Sequence, residues 1–277
     1  MDWSGAVGEL QRGIAVALAS GSSPPALVHR GHRWSRADVL DWVRAAPADT
    51  LIGFDLGPAF PFIDRGAYFP GWDESPVDAR ELWALVERIC SGDPHLSAAS
   101  FVDHPEAARH FRRHGGRTGD RFEPGRGRLR VTERAQLAQG LSPYSNLNLV
   151  GAAQVGKSSL TGMRLLHRLD GTLPVWPFDP LPPAGSVVVE LYTSIAALAA
   201  GRTKSRTKMR TYADLNAALT AIGSAHVAGG GPIDDHASDA LLTAAWLRTV
   251  ADRPELWHPP ALTSAVARTE GWTFGVT

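Results

Sequence analysis

The residues best placed to do chemistry lie in the stretch 232–247, which reads Pro-Ile-Asp-Asp-His-Ala-Ser-Asp-Ala-Leu-Leu-Thr-Ala-Ala-Trp-Leu. Gly229, Gly230, Gly231 and Pro232 keep a helix from starting earlier, and Asp234 is a natural N-cap. Ala237, Ala240, Leu241, Ala244, Ala245 and Leu247 then recur at helical spacing. On that helix Asp235 and Asp239 stand one turn apart, and His236 shares an edge with Asp239. Acids in a first turn can simply complement the helix dipole. Joined to an apolar, buried helix they are costly unless paired, and a cation between them is the competing explanation.

Three further acids fall where separate elements can bring carboxylates together. Asp2 lies in Asp-Trp-Ser-Gly, Asp55 ends Thr-Leu-Ile-Gly-Phe-Asp, and Glu190 ends Ser-Val-Val-Val-Glu. Any one of them alone reads as a cap or a surface charge. Asp2, Asp55, Glu190, Asp235 and Asp239 together form an oxygen donor set suited to Mg²⁺ or Mn²⁺. Such ions activate water and stabilise the leaving oxygen of a phosphodiester.

A second motif points elsewhere. Residues 151–158 match the pattern G-x-x-x-x-G-K-S, with Gly151, Gly156, Lys157 and Ser158 as the candidate nucleotide-binding set. In that pattern backbone amides cradle phosphates, the lysine reaches the terminal phosphates and the serine holds magnesium. The placement argues against it. Four expected strands precede the loop, few parallel units follow it, and Gly162 interrupts the next helix. The plainer reading is a glycine-permitted turn that leaves Lys157 free to meet some other anion.

The elements that must position these residues can be read in order. Strands are expected at 2–6, 13–18, 26–30 and 50–55, with an amphipathic helix at 36–45 before the fourth. Three meandering strands and a helical crossover imply a mixed sheet in an α/β fold. Helices are expected at 76–90, 104–114, 159–169, 193–200 and 212–222. Short strands are expected at 146–150 and 186–191, a proline-rich loop at 174–183, and a closing strand at 270–276.

Residues 109–134 hold nine arginines against three acids, together with five glycines. This predicts an exposed, mobile insertion able to meet phosphates. Arg202, Lys204, Arg206, Lys208 and Arg210 form a second basic run without an acid. Both segments are candidate nucleic-acid contacts, even though the chain as a whole carries formal net charge zero. One domain over residues 1–277, with an insertion at about 90–145, accommodates these features.

Cys90 is the only cysteine, which rules out an internal disulfide and a thiolate metal cage. No apolar run approaches the ~20 residues needed to cross a bilayer. The first residues lack the basic and apolar regions of a signal peptide, so a cytoplasmic protein with no membrane partner is expected.

The stations of Asp2, Asp55 in Ile-Gly-Phe-Asp-Leu-Gly, and His236 with Asp239 in Asp-His-Ala-Ser-Asp-Ala resemble the ribonuclease H-like superfamily, on the side that includes the Holliday-junction resolvase RuvC. The chain also looks similar to an uncharacterised bacterial family of predicted nucleases in that superfamily. Gln154-Val155-Gly156, Val189-Glu190-Leu191-Tyr192 and Glu270-Gly271-Trp272 carry that likeness. The resemblance implies a ribonuclease H-like mixed five-stranded sheet flanked by helices; the inserted arginine-rich lobe read from composition is not part of that superfamily's core. It implies a metal-dependent nuclease with Asp2, Asp55, His236 and Asp239 at the catalytic stations; Asp235, one residue before His236, is the alternative to it as the fourth metal ligand and is kept in the catalytic set. Only Met1 precedes Asp2, so the first strand is expected to be short. The alternatives are a P-loop nucleotide-binding protein and a non-catalytic ribonuclease H-like binding module.

Overall fold

A computed structural model describes residues 1–150, 155–169, 171–203 and 208–277. Strands β1 (Ala17–Leu18) and β2 (Ala26–Leu27) precede helix α1 (Arg36–Arg44) and strand β3 (Leu51–Phe54). Helices α2 (Ala79–Ile89), α3 (Ala99–Val102), α4 (Val131–Ala138) and α5 (Val155–Leu169) follow, with short 3₁₀ turns at Pro94–Leu96 and Ala107–His110. Strands β4 (Val175–Trp176) and β5 (Val187–Glu190) come next. The last helices are α6 (Thr193–Ala199), α7 (Tyr212–Ala221), α8 (Asp235–Val250), α9 (Pro254–Trp257) and α10 (Ser264–Thr269).

The fold is α/β, but the expected five-stranded mixed sheet does not form. The five strands divide into an antiparallel pair, β1 with β2, and a three-stranded parallel sheet of order β3-β5-β4. Hydrogen bonding explains the loss of the first strand. Buried Arg36 donates to the carbonyls of Ser4 and Ala6, which a sheet ladder would otherwise use. Asp2 therefore meets its neighbours only through single bridges, antiparallel to Ala15 and parallel to Asp55. The expected closing strand is likewise one bridge, Glu190 with Thr273, because the chain curls until Trp272 Nε1 donates to Val276 O. Residues 146–150 form no strand, 104–114 hold only a 3₁₀ turn, and β4 arises inside the expected proline-rich loop.

The parallel sheet is buried on both faces, which is why β5 is a run of valines rather than an alternation. Val188 packs into one core with Ile52, Phe54, Trp83, Leu160 and Met163. Val187 and Val189 pack into the other with Leu191, Leu241, Ala245 and Trp246. Gly53 of β3 is required by this packing, since a side chain there would run into Leu191. Helices α2 and α5 lie together on the first side, α6 and α8 on the second. Caps fix the helix starts: Ser35 and Asp38 form a capping box on α1, and Asp234 accepts from the amides of His236 and Ala237 on α8. Among the described residues no helix is long and apolar enough to cross a membrane.

Candidate active site

The carboxyl ends of β3 and β5 open on the same side of the sheet, and the acids gather there. Asp55 is the first residue past β3, and the bridge that follows places Asp2 beside it, with Asp55 N donating to Met1 O at 2.9 Å. Asp2 N donates in turn to Ala15 O at 3.0 Å, so the first acid is gripped from both sides. The third acid, Asp239, arrives on the first turns of α8, one turn after the Asp234 cap.

Their proximity appears in their proton affinities. Asp55 is pushed up to about 8, first by burial and then by the charge of Asp2, with Asp239 adding to the repulsion and a hydrogen bond from Thr193 Oγ1 (3.1 Å) opposing it. Asp239 is pushed up to about 7, again first by burial and next by Asp2. His236 leans on the same cluster, with Nδ1 2.5 Å from Asp2 Oδ2. That hydrogen bond is the main reason its imidazole holds a proton more tightly than usual. With Nδ1 committed to Asp2, the other ring nitrogen is left for proton transfer.

Asp235 is turned to the rim. It pairs with Lys208 Nζ at 2.8 Å, and this contact above all holds its carboxyl below the usual range. The Lys208 ammonium also feels Asp239 and Asp2, making it a counter-charge for the whole cluster. Glu190 sits at the neighbouring strand end and lines the same cavity as Asp55, but its carboxylate is already committed. Its carboxylate takes Arg130 Nη2 at 2.6 Å and Nη1 at 2.9 Å, and Thr273 Oγ1 at 2.8 Å. Among the described residues no group of three or more His, Cys, Asp or Glu side chains is already arranged to hold a metal ion.

A cavity of about 350 Å³ opens beside the cluster, lined in part by Trp3, Asp55, Tyr144, Lys157, Tyr192 and His236. Lys157 and Ser158 belong to the first turns of α5, which starts at Val155 and takes in the end of the G-x-x-x-x-G-K-S pattern. Gly156 is pressed against Asn146 O and Leu149, so a side chain there would clash. Gly151 and the rest of 151–154 lie outside the described residues. The segment before them is a turn with one isolated bridge, Arg112 to Asn148, rather than the strand a P-loop follows.

The arginine-rich stretch is largely tied into the fold. Arg128 is 4% exposed and donates to Asp64 and to the carbonyls of Pro61, Ala67 and Tyr68. Arg130 is 1% exposed and spans Glu133 and Glu190. Arg109 pairs with Asp120 and Arg113 with Asp103, while Arg112, Arg126 and Arg134 are exposed. In the second basic run, residues 204–207 lie outside the described residues.

Sequence reasoning brought Asp2, Asp55, His236 and Asp239 to one place. It missed Thr193, whose only signal was its position three residues past β5, and the counter-charge role of Lys208. It also missed Tyr144 and Tyr192, for which no local pattern exists. No protein-family model, no curated protein and no solved structure matches this chain.

Proposed function

We propose that the protein is a metal-dependent hydrolase of nucleic-acid phosphodiesters, working at Asp2, Asp55 and Asp239. The observation that carries this is the meeting of three carboxylates, from residue 2, the end of β3 and the start of α8: Asp2 bridges to Asp55, and its charge raises the proton affinity of both Asp55 and Asp239. Charge of one sign concentrated in a partly buried cleft is a standing attraction for a hard cation. Mg²⁺ keeps several waters and needs only one or two carboxylates besides substrate phosphate, so a pair such as Asp2 and Asp55 suffices as its protein anchor. Mg²⁺ or Mn²⁺ bound there would supply an activated water and neutralise charge on the phosphate.

The chain's own groups supply the rest. Asp2 orients His236, whose second ring nitrogen is available to take or return a proton beside the scissile bond. Thr193 fixes the Asp55 carboxylate, and Lys208 keeps Asp235 from adding further repulsion. Phosphate contacts fall to exposed cations such as Arg126 rather than to buried Arg128 and Arg130, so binding is expected to be indifferent to sequence. The motifs at Asp2, Asp55 and His236-Asp239 that resemble RuvC-type nucleases agree with this reading of the chemistry.

The test is cleavage of labelled single-stranded, duplex and branched DNA and RNA with Mg²⁺ or Mn²⁺. Wild type should cut at least one of these, and Asp55→Asn or Asp239→Asn should lose more than the ~100-fold that an outer-shell partner typically costs, with circular dichroism unchanged. A wild-type protein that cuts none of them with either metal sinks the proposal.

A further inference from the structure

The cavity beside the carboxylates has a makeup that acid chemistry alone does not require. It is lined by two tyrosines, Tyr144 and Tyr192, together with Lys157 and Ser158. Tyr144 is 49% exposed among the residues that line the cavity, so its ring is accessible from solvent. The Tyr192 hydroxyl lies within electrostatic reach of Asp55, Tyr144 and Arg126. Among the described residues neither tyrosine ring stacks on another ring; Tyr192 packs in part against the second core, while Tyr144 presents its ring to solvent. Lys157 is the lining cation with no ion pair among the described residues, whereas Arg130, which also lines the cavity, is committed to Glu133 and Glu190.

We propose that this cavity holds one unpaired nucleotide of the substrate, its base stacked on the exposed ring of Tyr144 with Tyr192 beside it, and its phosphate at Lys157 and Ser158. The inference builds on the hydrolytic reading for its location and adds the substrate class. A volume of about 350 Å³ is near the lower end of the ~300–1,000 Å³ that small-ligand sites span, enough for a single nucleotide and not for a base pair. Aromatic faces stack any base, so they select for an exposed base and not for its identity. A duplex offers phosphates to Lys157 but keeps its base faces stacked within the helix. The cavity therefore distinguishes strands by pairing, and positions the nucleotide next to the phosphodiester that faces Asp55.

Binding can be separated from cleavage by working in EDTA. The probe is a fluorescent oligothymidylate of about twelve nucleotides, within the span single-strand binding sites cover. It is compared by anisotropy with a blunt duplex of equal length. The single strand should bind about tenfold or more tightly than the duplex. Tyr144→Ala should weaken it by roughly five- to a hundredfold and Tyr144→Trp should restore it. Lys157→Ala should lower the slope of log affinity against log salt by about 0.7, the value for one single-strand phosphate contact. Equal binding of strand and duplex, absence of binding, or unchanged binding in both Tyr144→Ala and Lys157→Ala overturns the proposal. Hydrolysis of bis(p-nitrophenyl) phosphate by wild type with Mn²⁺ reports the metal chemistry without a base to stack, so the two readings fail independently.

Discussion

Two groups of buried acids end neighbouring strands of the same sheet, and they have opposite fates. Glu190 pairs in register with Phe54, one residue before Asp55. On the Glu190 side, Arg130 sits between Glu133 and Glu190, Thr273 donates to the same carboxylate, and each acid has its partner. Burial works against the charge of Arg130, yet Glu133 and Glu190 more than offset it and raise its pKa. On the Asp55 side, Asp2, Asp55 and Asp239 share one hydroxyl, one imidazole, one rim lysine and the neighbouring Met1 amino group. In the first group two acids share one guanidinium, yet every carboxylate oxygen accepts a hydrogen bond, and the network holds the sheet to α4. The second is left in excess, and that excess is what a cation would relieve. A buried acid thus speaks of chemistry only after its counter-charges have been counted.

The sharpest way to break this contrast is to unbalance the closed group. Arg130→Met leaves Glu133 and Glu190 buried without their cation and should destabilise the fold by about 3–5 kcal/mol, read from urea unfolding. A loss below about 1 kcal/mol would mean that the network is not the structural half of the pair.

The open group should behave in the reverse sense. Asp55 holds its proton in the folded chain up to about 8, against 3.8 when unperturbed. Its neutral form favours folding fully below the lower value, and that contribution is lost as pH rises through the upper one. Metal-free protein should therefore lose stability between about pH 4 and 8, by ~1.4 kcal/mol per unit of pKa difference at most. Asp55→Asn should flatten the decline, and added Mg²⁺ should reverse it in wild type but not in the variant. Melting temperatures measured across that range, with EDTA or Mg²⁺, decide the matter; a wild type insensitive to both would remove the excess charge from the argument.

The smallest effect sharpens the comparison at one atom. Thr193→Val removes the hydroxyl that steadies Asp55, so the carboxyl should titrate still higher while stability changes by only about 1 kcal/mol. NMR titration of the Asp55 carboxyl carbon reads the shift directly.

How much of this could be read in the sequence follows a physical line. Local signals were enough for α1, α8 and its Asp234 cap, β3 and β5, since caps and apolar periods are written in consecutive residues. Those signals also put Asp55 and Asp239 at element ends, where they are found. Pairing was not legible. The mixed sheet failed because Arg36, thirty-two residues away from Ser4, takes carbonyls that the first strand needed. Arg128 and Arg130 looked like part of a solvated flap because their partners Asp64 and Glu190 lie about sixty residues off in either direction. Glu190 looked equivalent to Asp55 for the same reason.

Glu270 carries a consequence for how the molecule is made. Its carboxylate, 1% exposed, accepts from the amides of Phe62, Ile63 and Val131, and its carbonyl accepts from Arg130. One side chain near residue 270 thus clasps the loop after β3 to the start of α4. During synthesis on the ribosome these earlier segments must wait, with their amides unclaimed, until Glu270 has emerged. The wall of the cleft that carries Arg130, Glu133 and Gln136 can therefore set only once Glu270 has joined the fold, long after the strands that bear Asp55 and Glu190 have been made.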